Sequence, residues 1–185
     1  NFGFGGDRYA EARTPEVLEL VRAAHRMETT LVAVDRRDRM VATLASRDLD
    51  LTVPGGGTVA MAGTTQVTVH PTHRRQGILT RMIDRHLRQA RDEGRPVVGL
   101  WASEEAIYGR FGYGHACPRL DLTFTGTEVD LPPAPDDVEI RYLSTDEARR
   151  LLPAVYEQVR PRVAGHLSRT PAWWELRTLY DPTYD

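Results

Sequence analysis

Apolar residues in the first third of the chain follow first a helical and then a strand-like pattern. Apolar positions recur at helical spacing after Thr14-Pro15-Glu16, a triplet typical of a helix start, and predict a helix over about residues 14–26. Short apolar runs at 31–34 and 40–44 flank a charged turn, which predicts a β-hairpin. The stretch 54–57, one proline and three glycines, predicts a flexible turn before another pair of strands.

The middle of the chain has the pattern of a βαβ unit. A β-branched strand is predicted over 66–69, and the apolar positions that follow change to a helical period. The helix is expected to stop at Gly94, with Pro96 beyond it. The continuous apolar run 97–101 suits a buried strand that would lie parallel to the first. The helical face consists of Ile78, Leu79, Met82, Ile83, Leu87 and Ala90.

The composition changes at the start of the last third of the chain. Residues 131–137 include three prolines in seven positions, which predicts a linker. A strand is predicted over 138–143. A helix should follow, opened by a capping box of Ser144 and Glu147 and either kinked or started at Pro153. Another helix is expected to start at Thr170-Pro171.

Composition and charge narrow the class of protein. The chain has 185 residues, of which 41% are hydrophobic and 27% charged, values ordinary for a soluble globular protein. A net charge of −2 provides no global basic field for nonspecific nucleic-acid binding. No apolar run reaches the roughly 18 residues that span a bilayer. We therefore expect no membrane partner. The single cysteine, Cys117, cannot form an internal disulfide, so we expect a cytoplasmic location, without excluding secretion.

The loop between the predicted strand and helix carries the first candidate chemistry. Arg74-Arg75-Gln76-Gly77 directly precedes a helix, whose first amides and macrodipole favour an anion. Glycine permits close approach of a phosphate, and arginine adds charge-assisted hydrogen bonds. The same letters also fit a solvated surface turn, but their place inside a βαβ unit favours a diphosphate site. Neither of two well-known phosphate loops, G-x-x-x-x-G-K-[ST] and G-x-G-x-x-G, is present after a strand.

Two motifs give the chain a family resemblance. The segments V-T-V-H-P-T-H-R-R-Q-G-I-L (67–79) and A-S-E-E-A-I-Y-G-R-F-G-Y-G (102–114) resemble the Gcn5-related N-acetyltransferases (GNAT), and within them the enhanced intracellular survival (Eis) proteins of bacteria. Leu79 replaces the glycine or alanine usual in GNAT proteins at that position, as Eis-like proteins tolerate. The resemblance covers about residues 30–127.

The resemblance implies an α+β fold with a mixed sheet, the GNAT acyl-CoA N-acyltransferase fold. It divides the chain into a GNAT domain (1–127) that lacks its beginning, a proline-rich linker (128–137) and the incomplete start of a second GNAT-like domain (138–185). The whole would then be a fragment of a longer polypeptide.

The same resemblance implies a site for acetyl-CoA. Val67 and Val69 would offer backbone groups to the pantetheine arm, in the manner of an added strand. The pyrophosphate would be cradled by the loop and helix start, and two further residues would contact the coenzyme from the segment after the second strand. The remaining contact residues are Arg74, Arg75, Gln76, Gly77, Ile78, Leu79, Thr80, Ser103 and Glu104.

Tyr108 occupies the general-acid position of the family motif. A tyrosine with an ordinary pKa near 10 stays protonated at neutral pH and can give its proton to a departing thiolate. Tyr113 would be a packing residue, and the Val67 amide could polarise the thioester carbonyl. In Eis-like proteins the base is the carboxylate at the polypeptide's own C-terminus, from a later domain, so we expect no base in this chain, its last residue Asp185 included.

Three other features have alternative interpretations. Cys117 with nearby His115 could form an acetyl-cysteine intermediate, although single cysteines are more often buried packing residues. His70 and His73 are too few ligands for zinc, so no metal is expected. Trp173 and Trp174 could form a ligand platform, but packing is favoured.

The resulting hypothesis is an enzyme that transfers acetyl directly from acetyl-CoA to a primary amine, either of an aminoglycoside-like polyamine or of a lysine side chain. The resemblance also implies a homo-oligomer, a hexamer. The alternative is a CoA-binding or scaffolding module without turnover.

Overall fold

A four-stranded mixed sheet organises the described part of the chain. The computed structural model describes residues 14–118, 123 and 139–179. Its strands lie in the order β1-β2-β3-β4, with antiparallel pairing among the first three and parallel pairing between β3 and β4. The α+β prediction and the parallel βαβ crossover are confirmed. The strands are β1 (Leu31–Val34), β2 (Met40–Thr52), β3 (Thr58–Val69) and β4 (Val97–Leu100).

Helices and short turns connect and cover the strands. The helices are α1 (Pro15–Ala23), α2 (Ile78–Asp92), α3 (Thr145–Val159) and α4 (Pro171–Trp174), which continues as a π-helical segment over Glu175–Leu179. The 3-10 turns span Met27–Thr29, Pro71–His73, Glu105–Ile107, Gly109–Phe111 and Arg160–Arg162. None of the helices in the described ranges is long and apolar enough to cross a membrane.

Local capping explains where the predicted helices begin and end. The Thr14 hydroxyl accepts a hydrogen bond from the Val17 amide at the start of α1. Gly94, just beyond α2, has a φ of +69°, the left-handed conformation that the predicted helix stop requires. Ser144 and Glu147 make both hydrogen bonds of the predicted capping box at the start of α3. Pro153 lies inside α3, so it does not mark the start of the helix.

The main core lies between α2 and the centre of the sheet. Ala42 and Leu44 from β2 and Ile83 from α2 are fully buried, and Met82 is nearly so. Their burial follows from the helical period predicted for α2 and from alternation along β2. Tyr108 packs against this cluster from the segment after β4.

The strands differ from the predictions in length, in number and in burial. β2 continues to Thr52 rather than ending near residue 44, because its distal half pairs with β3 through Thr52↔Thr58. The turn at 54–57 is therefore followed by one long strand and not by a strand pair. The final strand stops at Leu100, leaving Trp101 72% exposed, and β4 itself is half-buried because no further strand in the described ranges covers its outer edge.

The predicted strand over 138–143 was wrong for its described residues. Residues 139–143 form no strand, and Ile140 is 85% exposed, since no described strand lies beside them to complete a ladder. Residue 138, the linker 128–137 and Asp185 lie outside the described residues.

Residues 165–168, after α3, bind the outer edge of β2 instead. The Thr52 amide donates to the His166 carbonyl and the Gly165 amide donates to the Thr52 carbonyl, both at 2.8 Å. The Ser168 amide donates to the Asp50 carbonyl at 2.9 Å. These hydrogen bonds hold the segment against the end of β2. The division of the chain into two domains stays a prediction.

The tryptophan pair packs, as predicted. Trp174 is 7% exposed and lies edge-on to Tyr156, with the ring centroids 5.7 Å apart. The Arg169 guanidinium stacks over the rings of Tyr156, Trp173 and Trp174 at 3.7, 4.4 and 4.9 Å from their centroids. An internal cation therefore already occupies this aromatic surface.

Candidate active site

A β-bulge bends β3 at the point where the site begins. The register passes from Ala45↔Thr65 to Thr43↔Thr68, so two residues of β3, Gln66 and Val67, face the single residue Leu44. Gln66 adopts a φ of +49°, which is uncommon for a residue other than glycine. The Thr43 hydroxyl donates a 2.9 Å hydrogen bond to the Gln66 carbonyl and supports the bulge. Bulges of this kind redirect a strand beside functional sites.

Beyond the bulge, the edge of β3 that faces β4 is unpaired. The parallel ladder ends at Thr64↔Leu100, and no described strand pairs with Val67 or Val69 on that side. The side chains of these two valines pack against the core cluster. The two strands therefore separate at Thr64, and the β3 edge presents backbone donors and acceptors to an extended ligand.

The loop over residues 70–77 joins this edge to α2 in a strained conformation. Arg75 has a φ of +60° and Gly77 a φ of +73°, both in the left-handed region. Gly77 caps α2 without a side-chain hydrogen bond, and the first amide bonded within the helix is that of Arg81, which donates to the Gly77 carbonyl. The amides of residues 78–80 have no acceptor in the described part of the chain, so they can serve an anion.

Side chains of the loop fix its shape. Arg74 Nε donates to the Val69 carbonyl at 3.3 Å, and Gln76 Nε2 donates to the Thr72 carbonyl at the same distance. Arg81 from the first turn of α2 reaches the Gln76 carbonyl at 3.4 Å. Arg75 is exposed and forms no ion pair with the described residues, so its guanidinium is available to a ligand.

A basic cleft of about 610 Å³ opens between this loop, the start of α2 and the β1–β2 turn. Asp35 is the acidic residue in its lining, and hydrogen bonds from the Arg39 side chain and backbone and from the Arg37 backbone lower the pKa of Asp35 to about 2. The arginines of the lining give the cleft a net positive charge: Arg36, Arg37, Arg39 and Arg81.

Tyr108 lies between two 3-10 turns and is half-buried against the core cluster. Burial raises the pKa of its hydroxyl. The hydroxyl makes no hydrogen bond with the described part of the chain, and the ring stands edge-on to Tyr113, with centroids 5.8 Å apart and planes 71° apart. Tyr108 is thus a phenol with a raised pKa, and its hydrogen is not bonded to an acceptor among the described residues.

A buried polar network that the sequence did not predict lies beside Tyr108. The Thr64 hydroxyl is hydrogen-bonded to His86 Nε2 at 2.9 Å and to the Tyr113 hydroxyl at 3.2 Å. Thr64 is 4% and His86 2% exposed, and burial lowers the pKa of His86. His86 occupies an apolar-face position of α2, but nothing local in the sequence pairs it with Thr64 or Tyr113.

A second polar group, also missed, contacts the bulge through Gln66. His25 Nδ1 donates to the Val21 carbonyl at 2.6 Å, while its Nε2 faces Arg47 at 3.1 Å and Gln66 Nε2 at 3.4 Å. Burial first, and then the charge of Arg47, lowers the pKa of His25, with the Val21 hydrogen bond opposing. Its imidazole is therefore neutral and holds the end of α1 and the bulge together.

The remaining predicted residues have simpler surroundings. Ser103 and Glu104 lie exposed in the turn after β4, and no hydrogen bond or ion pair among the described residues connects them to the 70–77 loop. His70 Nδ1 caps the 3-10 turn that follows it, 2.7 Å from the Thr72 hydroxyl. Cys117 is exposed rather than buried. Among the described residues, no group of three His, Cys, Asp or Glu side chains is arranged to hold a metal ion.

Comparison with known proteins identifies the fold that carries this geometry. An uncharacterized N-acetyltransferase of Streptomyces coelicolor is 41% identical over 172 residues, covering 90% of this chain and 41% of the relative. The N-acetyltransferase Eis of Mycobacterium tuberculosis is 41% identical over 133 residues, covering 69% and 33% of the two chains. The chain thus spans about two fifths or less of the length of these relatives.

A solved structure is also similar to this chain. Eis1 from Mycobacterium abscessus superposes with a TM-score of 0.64 at 32% identity, covering 83% of this chain and 39% of the other. The sequence profile of the acetyltransferase (GNAT) domain matches residues 4–116, which include the bulge, the 70–77 loop and Tyr108. The chain belongs to the GNAT acetyltransferase family.

Proposed function

We propose that the chain is the donor-binding and catalytic domain of an acetyl-CoA-dependent N-acetyltransferase of the Eis type. One observation supports the proposal most strongly: three features lie on neighbouring elements around the core cluster. They are the unpaired edge of β3, the start of α2 with its free amides, and the Tyr108 hydroxyl, which has no partner among the described residues. Bound acetyl-CoA supplies the thioester from which the acetyl group is transferred. Every other part of the chemistry falls to the protein and the acceptor amine.

Donor binding rests on the backbone more than on side chains. Val67 and Val69 have the unpaired edge that a pantetheine amide can join as an added strand. The amides of residues 78–80 and the Arg75 guanidinium suit a diphosphate, and Gly77 leaves room for it. Arg74 and Gln76 hold the loop through their hydrogen bonds to Val69 and Thr72. Ser103 and Glu104 are proposed coenzyme contacts by family resemblance alone.

Tyr108 is the proposed general acid. Burial raises the pKa of the phenol, so it stays protonated through the neutral range. In the transfer the amine nitrogen forms the new C–N bond, the C–S bond breaks, and the Tyr108 proton goes to sulfur. The proton lost from nitrogen needs a base, for which we propose the C-terminal carboxylate of the full-length protein, as the Eis resemblance implies.

Acceptor and assembly are proposed from the same resemblance. The acceptor is a primary amine, on an aminoglycoside-like polyamine or a lysine side chain, and transfer occurs in a ternary complex without an acetyl-cysteine. The exposed Cys117 has no hydrogen-bonded base among the described residues, which supports direct transfer. A hexameric assembly and a cytoplasmic location complete the proposal.

A Tyr108→Phe variant of the full-length protein tests the catalytic role. The phenylalanine keeps the ring packing against the core cluster, so the Kd for acetyl-CoA should not change. Loss of the proton donor should lower kcat by about a hundredfold with a good amine acceptor. Steady-state kinetics and calorimetric binding measure both quantities, and an unchanged kcat would remove Tyr108 from the mechanism.

A further inference from the structure

The Tyr113 ring is held in place by a hydrogen bond of its hydroxyl as well as by packing. Its hydroxyl lies 3.2 Å from the Thr64 hydroxyl, which lies 2.9 Å from His86 Nε2. A threonine hydroxyl carries one hydrogen, so at least one of its two partners must donate to it. The three residues come from β3, α2 and the segment after β4, and the chain ties these elements together at one buried point.

That point coincides with the separation of the two central strands. Thr64 forms the last pair of the parallel ladder, with Leu100, and the bulge follows two residues later at Gln66. Thr64 therefore lies at the closed end of the gap between β3 and β4. The network is anchored where an extended ligand running along the β3 edge from the 70–77 loop would end.

The network also reaches the general acid. Tyr113 meets Tyr108 edge-on, an arrangement with a preferred geometry between aromatic rings. Burial is the main cause that raises the pKa of Tyr113; the hydrogen bond with Thr64 lowers this pKa, and the neighbouring Tyr108 raises it further. Fixing the Tyr113 ring at its hydroxyl thus restricts the ring against which Tyr108 rests.

We propose that His86, Thr64 and Tyr113 form a positioning chain that orients Tyr108 for proton transfer. The inference rests on the proposed general-acid role of Tyr108. His86 and Thr64 fix the Tyr113 hydroxyl to the core, and the Tyr113 ring restricts the position of Tyr108 through ring contact. None of the three residues exchanges a proton with the substrate. Side chains that hold a reacting group contribute to rate because small displacements of that group are costly.

Tyr113→Phe and Thr64→Val each remove the hydrogen bond between Thr64 and Tyr113, so these are the variants to measure. Either should lower kcat by about tenfold and leave the KM for acetyl-CoA within about twofold. Thr64→Ser keeps the hydroxyl and should restore most of the rate. Tyr156→Phe is the matched control, because it removes a tyrosine hydrogen bond of 2.7 Å, to the Leu167 carbonyl, away from the site. It should leave kcat unchanged.

A double-variant test separates positioning from general structural damage. In a Tyr108→Phe background there is no proton donor left to orient, so Thr64→Val or Tyr113→Phe should cause no further loss of kcat. An equal loss in both backgrounds would overturn the proposal, as would normal kcat in both single variants. If Tyr108→Phe itself retains full kcat, the general-acid assignment fails instead, and the two failures are distinguishable. Should Thr64→Val not fold, Tyr113→Phe decides the question alone.

Discussion

Gly77 permits a direct test of the proposed phosphate-binding role of the 70–77 loop. It holds a φ of +73° at the start of α2, where alanine costs about 1 kcal/mol because of its Cβ. An added Cβ would meet only the end of the Arg81 side chain, at 3.4 Å, so crowding is minor. Relief of the backbone strain in Gly77→Ala would instead rotate the loop and re-aim the amides of residues 78–80.

The expected magnitude follows from those amides. A hydrogen bond to a charged group contributes about 2 kcal/mol, so loss of one amide–phosphate bond should weaken acetyl-CoA binding about 30-fold. Gly94→Ala is the matched control, since Gly94 has a φ of +69° at the other end of α2 and open space for a Cβ. Both variants should lose about 1 kcal/mol of unfolding free energy.

Isothermal titration calorimetry with acetyl-CoA, together with urea unfolding, measures both effects on the full-length protein. We expect Gly77→Ala and Gly94→Ala to be destabilised equally, and the Kd for acetyl-CoA to rise in Gly77→Ala only. Equal Kd values for Gly77→Ala, Gly94→Ala and the unchanged protein would refute the assignment of the helix start as the phosphate site.

Two further predictions concern stability. Ile83→Ala should lower the unfolding free energy by about 2–5 kcal/mol, because Ile83 is fully buried in the core. Ile140→Ala, at an 85% exposed position, should change it by less than about 0.5 kcal/mol. Urea unfolding compares the two variants, and similar losses would contradict the placement of the core. Asp35 has a folded pKa of about 2 against an ordinary 3.8, so the hydrogen bonds that its carboxylate accepts from Arg39 and Arg37 stabilise the protein above about pH 4. This stabilisation is lost as the pH falls toward 2. The unfolding midpoints of Asp35→Asn and the unchanged protein should therefore differ at neutral pH and converge near pH 2; a difference that persists there would contradict the pairing.

Local features of the fold could be predicted because their causes lie within a few residues. Thr14, Ser144 with Glu147, and Gly94 set helix ends through hydrogen bonds and φ values that belong to their own segments. The period of α2 likewise marks the face that covers the sheet. The position of the loop before α2 was predictable for the same reason.

Features that depend on distant partners could not be predicted. The bulge at Gln66 arises from how β2 and β3 align, and no glycine marks it. The contact of Thr64 with His86 and Tyr113 joins residues 22 and 49 positions apart. The predicted strand over 138–143 failed because a strand needs a neighbour, and the chain instead bonds residues 165–168 to β2.

Acetyl transfer by the full-length protein is the most direct measurement of the central claim. The protein is incubated with acetyl-CoA and a panel of aminoglycosides, simple primary amines and lysine peptides, and both the released thiol and the mass of the acceptor are followed. We expect thiol release that is matched by acetylation of at least one primary amine. Tight acetyl-CoA binding with no thiol release for any acceptor would contradict it and indicate a binding module without turnover.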